Sequence, residues 1–332
     1  MIPRFLSARL QNAATRYPVI TLTGPRQSGK TTLVRNVFSD YGYFSLERPD
    51  HREFALEDPR GFLQRAGERV ILDEVQHTPE LFSYIQPIVD EHHRPGQYIL
   101  TGSQNFLLLE KISQSLAGRT AIFHLLPFAK RELLGEKPYH PDDFPDMLSR
   151  SGEEYPDLWE MLFKGFYPRL HDQHLDTREW LAGYYQAYIE RDVRSVLNVG
   201  NLDRFARFVR LCAGRTGQLI NFSSLAADAG VSHATVQRWL SVLQASFIVT
   251  LVRPHYENFR KRLTKAPKLY FLDTGLLCFL LDIRRVEDLP FHALRGAIFE
   301  SFVFSELYKA YLNNGELPAI YFWQDVKRHE VD

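Results

Sequence analysis

The stretch Gly24-Pro-Arg-Gln-Ser-Gly-Lys-Thr31 constrains this chain more than any other. It has the spacing G-x-x-x-x-G-K-[ST] and stands between an apolar run, Pro18-Val-Ile-Thr-Leu-Thr23, and helix-forming residues that begin at Thr31. That order predicts a buried strand, a tight loop and a helix. Glycines let such a loop curl until its backbone N–H groups point inward, and the helix that follows presents its positive N-terminal end, so the unit suits phosphate. Gly24, Pro25, Arg26, Gln27, Ser28, Gly29, Lys30, Thr31 and Thr32 are therefore expected to line a site for ATP. Lys30 would reach the β- and γ-phosphates and assist their chemistry, while the Thr31 hydroxyl would sit on Mg²⁺.

A glycine-rich turn can match a short pattern by chance, and a second element argues against that. Arg69-Val-Ile-Leu-Asp73-Glu74 is an apolar run ending in two carboxylates, a costly end for a buried strand unless a cation is held there. Asp73 is expected in the Mg²⁺ shell and Glu74 as the base that activates a water. A third run, Gln97-Tyr-Ile-Leu100, ends in Thr101-Gly-Ser103-Gln-Asn105, which would place the Ser103 hydroxyl beside the γ-phosphate. Ser and Asn are also ordinary turn formers, so a plain strand end explains them equally well. Arg119, in Leu116-Ala-Gly-Arg119, is a candidate cation for the transferred phosphate, although an isolated arginine is more often a solvated surface charge. With Tyr43 to Leu46 as a further run, and segments of helical length between the runs, the first part reads as α/β with a parallel sheet and crossover helices.

At 332 residues the chain exceeds one ordinary core, which predicts several domains. Forty Lys and Arg balance forty Asp and Glu, so no net field draws the whole molecule to nucleic acid or an anionic membrane. Two distant cysteines, Cys212 and Cys278, suit neither a disulfide framework nor a zinc site, and a cytoplasmic location is expected. The N-terminal stretch has helical spacing without the apolar core of a signal peptide, and no run reaches the length of a membrane span.

The expected domains are residues 1–135 around the phosphate loop, a linker and helical region at 136–215, a helix-turn-helix with a wing at 216–285, and an α/β segment at 286–332. The third carries the clearest pattern: Ser223 to Leu240 reads as a helix, a turn at Gly230 and a second helix capped by Ser232. Strands at Phe247–Val252 and Lys268–Leu272 would flank a wing, and residues 253–268 hold six basic side chains against one glutamate. His233, Thr235, Gln237 and Arg238 could face a DNA groove, with Arg260, Lys261, Arg262 and Lys265 on phosphates. The same module serves protein partners or a second copy of the chain just as well.

Taken in order, TGPRQSGKTTL, DPRGFL, VILDEVQ, ILTGSQNFLLL, LAGR with PFAKREL, YIERDVRSV, LAADAGVSHATVQRWLSVL and KAPKLYFLDTGLL make the chain resemble the bacterial and archaeal AAA+-type ATPases with a C-terminal DUF4143 region. The resemblance runs the full length. It implies a P-loop sheet with the catalytic glutamate beside the Mg²⁺ aspartate, then a helical region and a winged helix. It supports Lys30, Thr31, Asp73, Glu74 and Arg119, and it supplies no substrate. It further implies a restriction-endonuclease-like opening at Glu300 and at Glu330-Val-Asp332, incomplete without a lysine-bearing strand. Glu300 is therefore expected to cap or pair rather than to hold a metal.

Overall fold

A computed structural model describes residues 2–103, 114–144, 157–173, 175–188, 202–255, 265–324 and 330–331. The chain divides into two compact units, residues 1–138 with 311–316, and residues 139–310 with 317–332.

In the first unit, helix α1 (Ser7–Ala14) leads into strand β1 (Val19–Gly24) and helix α2 (Lys30–Val37). Strand β2 (Gly42–Ser45), helices α3 (Pro49–Glu57) and α4 (Pro59–Ala66), strand β3 (Val70–Asp73), helix α5 (Leu81–His92) and strands β4 (Tyr98–Ser103) and β5 (Thr120–His124) follow. The strands form one parallel sheet in the order β2-β3-β4-β1-β5. The strand that ends in Asp73 is thus separated from the loop-bearing strand by β4, and Asp73, Ser103 and Gly24 all finish at the same edge.

Alternation along each strand explains why the apolar runs are unbroken. Val19, Val70, Leu72 and Leu100 face Phe62, Phe82 and Ile85 on one side. Ile20, Leu22, Ile71 and Ile99 face Leu6, Leu10, Leu33 and Val34 on the other. Helices cover both faces, so neither set can be polar. Helix starts are fixed locally. The Asp58 side chain, for example, accepts the Gly61 N–H at 2.9 Å to begin α4.

The second unit opens with helices α6 (Leu158–Lys164), α7 (Pro168–Asp172), α8 (Thr177–Ala187) and α9 (Leu202–Ala213), where the apolar spacing predicts helices. Strand β6 (Gln218–Leu219), helices α10 (Phe222–Ala229) and α11 (His233–Ala245) and strands β7 (Val249–Pro254) and β8 (Lys268–Phe271) follow. Asn221 and Ser232 cap α10 and α11 through the N–H groups of Ser224 and Thr235, and Gly230 takes the left-handed conformation between the helices. Trp239 packs edge-on against Phe205 and Phe208 of α9. Helices α12 (Thr274–Leu280) and α13 (Arg295–Asn313) precede strands β9 (Tyr321–Gln324) and β10 (Glu330–Val331). The second sheet runs β10-β9-β7-β8-β6, with β9 parallel to β7. The expected partition at 285/286 is therefore not a break in the sheet, because Tyr321 and Phe322 pair with Arg253 and Pro254.

Leu100 is fully buried in the first sheet. Leu100→Ala is expected to lower unfolding free energy by about 2–5 kcal/mol through lost transfer energy and a residual cavity, read as a lower denaturant midpoint at unchanged slope.

Candidate nucleotide site

The loop between β1 and α2 is shaped by residues in unusual backbone conformations. Gly24 (φ 154°), Gln27 (φ 60°) and Gly29 (φ 93°) all have positive φ. A Cβ on Gly24 would lie 2.1 Å from the Leu125 carbonyl oxygen, so the first glycine of the pattern is required by its close approach to the strand-end segment after β5. Lys30, the first residue of α2, is buried, and its Nζ donates to the carbonyls of Gly24 at 3.1 Å and Pro25 at 2.8 Å. The ammonium thus lies within the curl of the loop. The Ser28 hydroxyl is buried and has no hydrogen-bond partner. An orphaned hydroxyl beside a caged ammonium and a helix start fits an incoming phosphate oxygen, which would satisfy it.

Asp73 is the hub of the site. Its carboxylate accepts from Thr31 Oγ1 at 3.1 and 3.0 Å, from Tyr43 Oη at 2.8 Å and from the Thr101 hydroxyl. Burial first, and then the bond to Asp73, push the Tyr43 phenol up to about 12, so it remains a donor at neutral pH. A carboxylate and a threonine hydroxyl form the hard oxygen set that Mg²⁺ prefers. Glu74 leaves the strand in the left-handed conformation, φ 59° and ψ 46°, which separates its carboxyl from that of Asp73. Glu74 accepts from the Gln76 amide and, at 3.4 Å, from Ser103 Oγ. Burial opposes ionisation of Glu74, yet the Lys30 ammonium, the Gln76 amide and the Arg26 guanidinium outweigh it and hold the carboxyl below the usual glutamate range. Beside the loop, Thr23 Oγ1 and His124 Nδ1 are 2.7 Å apart, and burial lowers this imidazole to about 4, leaving it neutral.

Lys30, Thr31, Asp73, Glu74 and Ser103 therefore meet at one edge of the sheet, which is the geometry of a P-loop nucleotide site. Residues 16–134 match the family described as AAA domain, residues 155–287 one described as domain of unknown function DUF8612, and residues 295–332 one described as domain of unknown function DUF4143. Uncharacterized protein Rv2008c of Mycobacterium tuberculosis and uncharacterized protein Mb2031c of Mycobacterium bovis are each 30% identical over 331 residues, 99% of this chain and 70% of theirs. The chain belongs to the AAA-type P-loop ATPases with a C-terminal DUF4143 region. The Walker-type ATPase PABY2304 of Pyrococcus abyssi shares the fold of this ATPase, with a TM-score of 0.51 at 17% identity over 83% of this chain and 94% of that one.

The fold does not bring Arg119 to its own loop. Arg119 precedes Thr120, which is level with Val19 at the far end of β1 from Gly24, and six strand residues span roughly 20 Å. Its guanidinium is paired with Asp90, with Nη2 at 2.7 Å from Oδ2. Arg119 therefore stands about one strand length from the phosphate loop of its own chain, and the candidate role for the transferred phosphate is left to a neighbouring copy. In the second unit His233, Gln237, Arg238 and Lys265 are exposed, while Thr235 is half-buried. A groove of about 830 Å³ lies between α10, α11 and the β7–β8 hairpin, lined by Asn221, His233, Gln237, Arg253 and Lys265 among others. Arg260, Lys261 and Arg262 lie outside the described residues. Glu300 accepts from the Tyr270 hydroxyl and the Lys268 ammonium, the pairing role expected of it. Sequence reasoning missed Tyr43 and His124 as site residues and the bond of Thr101 to Asp73, which become legible only once the parallel register sets them beside Asp73 and Thr23.

Gly24→Ala is expected to lose about 1–3 kcal/mol of stability through backbone strain, together with ATP affinity, because the added methyl must push the loop off Leu125. A thermal midpoint and an ATP titration unchanged from the parent would contradict the close approach.

Proposed function

We propose that this ATPase binds ATP with Mg²⁺ and hydrolyses it as a nucleotide-driven switch for the helix-turn-helix module of its second unit. The observation that carries the hydrolytic half is the placement of Glu74 directly after Asp73, with its carboxyl accepting from Ser103 Oγ at 3.4 Å. The loop from Gly24 to Thr32 would hold the phosphates, with Lys30 neutralising the β- and γ-oxygens. Thr31 and Asp73 would hold Mg²⁺, which supplies charge neutralisation of the phosphates. Glu74 would take a proton from the attacking water onto its carboxylate, and the Ser103 hydroxyl would orient that water at the γ-phosphate.

Glu74→Gln is expected to keep Mg·ATP affinity while lowering turnover by roughly 10²–10⁴, the contribution of a general base. Lys30→Ala is expected to abolish tight ATP binding by calorimetry. A depressed carboxyl is ionised above its own low value and is lost as a base only when pH falls through it. The acid limb of the rate profile should therefore lie below the ordinary glutamate range of about 4.3, measured over the pH span in which the chain stays folded. A turnover that begins to fall near pH 6 would point to another base.

For the second unit, we read a winged helix that binds duplex DNA, with α11 toward the groove and the basic segment toward phosphates. The capped helix-turn-helix and the exposed Gln237, Arg238 and Lys265 favour it. No helix among the described residues is long and apolar enough to cross a membrane; the two cysteines are free, and we assign the protein to the cytoplasm. Neutralising Arg260, Lys261, Arg262 and Lys265 together should weaken binding across all sequences. It should also flatten the slope of log affinity against log salt by about 0.9 for each DNA phosphate that is no longer neutralised. A parent chain that binds no DNA would reassign the module to a protein partner or a second copy of the chain. Strong DNA binding with negligible turnover would instead indicate a nucleotide-gated regulator, and a defence or repair role beside a nuclease would require a nuclease-like site after Asp332.

A further inference from the structure

The motif PFAKREL and the N-terminal Arg4 have no part in the nucleotide chemistry above, yet they meet against the phosphate loop. Arg4 Nη1 donates to the Ser28 carbonyl at 2.8 Å, Nη2 to the Leu126 carbonyl at 2.7 Å, and Nε to Glu132 Oε1 at 3.1 Å. The guanidinium also lies over the Phe128 ring, 4.7 Å from its centre. Glu132 is buried and completes its own set by accepting the Phe5 N–H at 2.7 Å and the Ala129 N–H at 2.9 Å. Both charges are shut away from water, with side-chain exposures of 8% and 0%. Burying an ion pair is a poor source of stability, because desolvation offsets the attraction, but it fixes geometry where every donor and acceptor is used.

What is fixed here is a peptide plane. All peptide bonds among the described residues are trans, so a carbonyl and the N–H that follows it point in opposite directions. Holding the Ser28 carbonyl on Arg4 therefore turns the Gly29 N–H away from Arg4. Gly29 stands immediately before Lys30 in left-handed geometry, a conformation in which the plane would otherwise be free to rotate. We propose that Arg4, clamped by Glu132, is a positioning residue that aims the Gly29 N–H at the bound phosphate and thereby sets the affinity of the loop for polyphosphate. A lysine cannot replace it, since one ammonium cannot span Ser28, Leu126 and Glu132 in a planar fork.

This inference rests on the phosphate-binding reading, and the experiment separates the two. Calorimetry would measure Mg·ATP and inorganic pyrophosphate binding to the unaltered chain, Arg4→Gln and Arg4→Lys, with circular dichroism and thermal midpoints for each. Failure of the unaltered chain to bind either ligand would sink the phosphate reading itself. With the parent binding, Arg4→Gln is expected to raise both dissociation constants at least tenfold, which is about 1.4 kcal/mol. Arg4→Lys, which keeps the charge beside Glu132, is expected to raise both at least threefold in a folded chain. Parent-like affinities in Arg4→Lys would overturn the positioning role. So would loss of the folded state in both variants, which would make the clamp a purely structural pair.

Discussion

The buried carboxylate of Asp73 is the interaction on which the nucleotide unit turns. Three hydroxyls converge on it, from Thr31 on α2, Tyr43 on β2 and Thr101 on β4, so one side chain joins the first turn of the loop helix to three neighbouring strands. A carboxylate in that position cannot be left unpaired. The same three donors that satisfy it also tie the loop helix to the end of the sheet. Stability and the proposed metal site therefore share the same hydrogen bonds at this edge. Variants of Tyr43 or Thr101 would report on both at once, although neither residue belongs to the phosphate-loop pattern.

Much of the first unit was legible because its strands are buried on both faces and carry near-continuous apolar runs. Val19–Thr23, Val70–Leu72 and Tyr98–Leu100 stood out for that reason, and the loop and the Asp73-Glu74 pair stood at their ends. Strand β5 did not. It lies at the sheet edge with Thr120, Ala121, Phe123 and His124 half-buried and Ile122 exposed, so it shows neither a run nor a clean alternation. The place of Arg119 was hidden for a related reason: spacing along the chain says that it adjoins a strand, but not which end of the sheet that strand begins from. Arg4 and Glu132 were invisible as a pair because nothing local links positions at opposite ends of a unit.

The second unit shows where pattern reading succeeds and where it stops. Capping residues and the Gly230 turn are local signals, and they marked where α10 gives way to α11. Glu300 illustrates the opposite case, a carboxylate whose role depends on Tyr270 and Lys268, which reach it from another element. The pairing of β9 with β7 across position 285 was not legible, because a sheet can recruit a strand from far along the sequence and nothing local marks the partner.

That recruitment sets an order of events during synthesis. Strand β7 emerges early and can pair at once with β8, but the backbone of Arg253, Pro254 and His255 must wait for Tyr321 and Phe322. Until then one side of β7 is an open edge, the kind of surface that templates association between nascent chains. Proline at position 254 does not blunt that edge, because the N–H that meets Phe322 is that of His255, and the nitrogen of the residue before it faces the other way. The nascent chain thus carries that margin undefended until Tyr321 and Phe322 arrive to cover it.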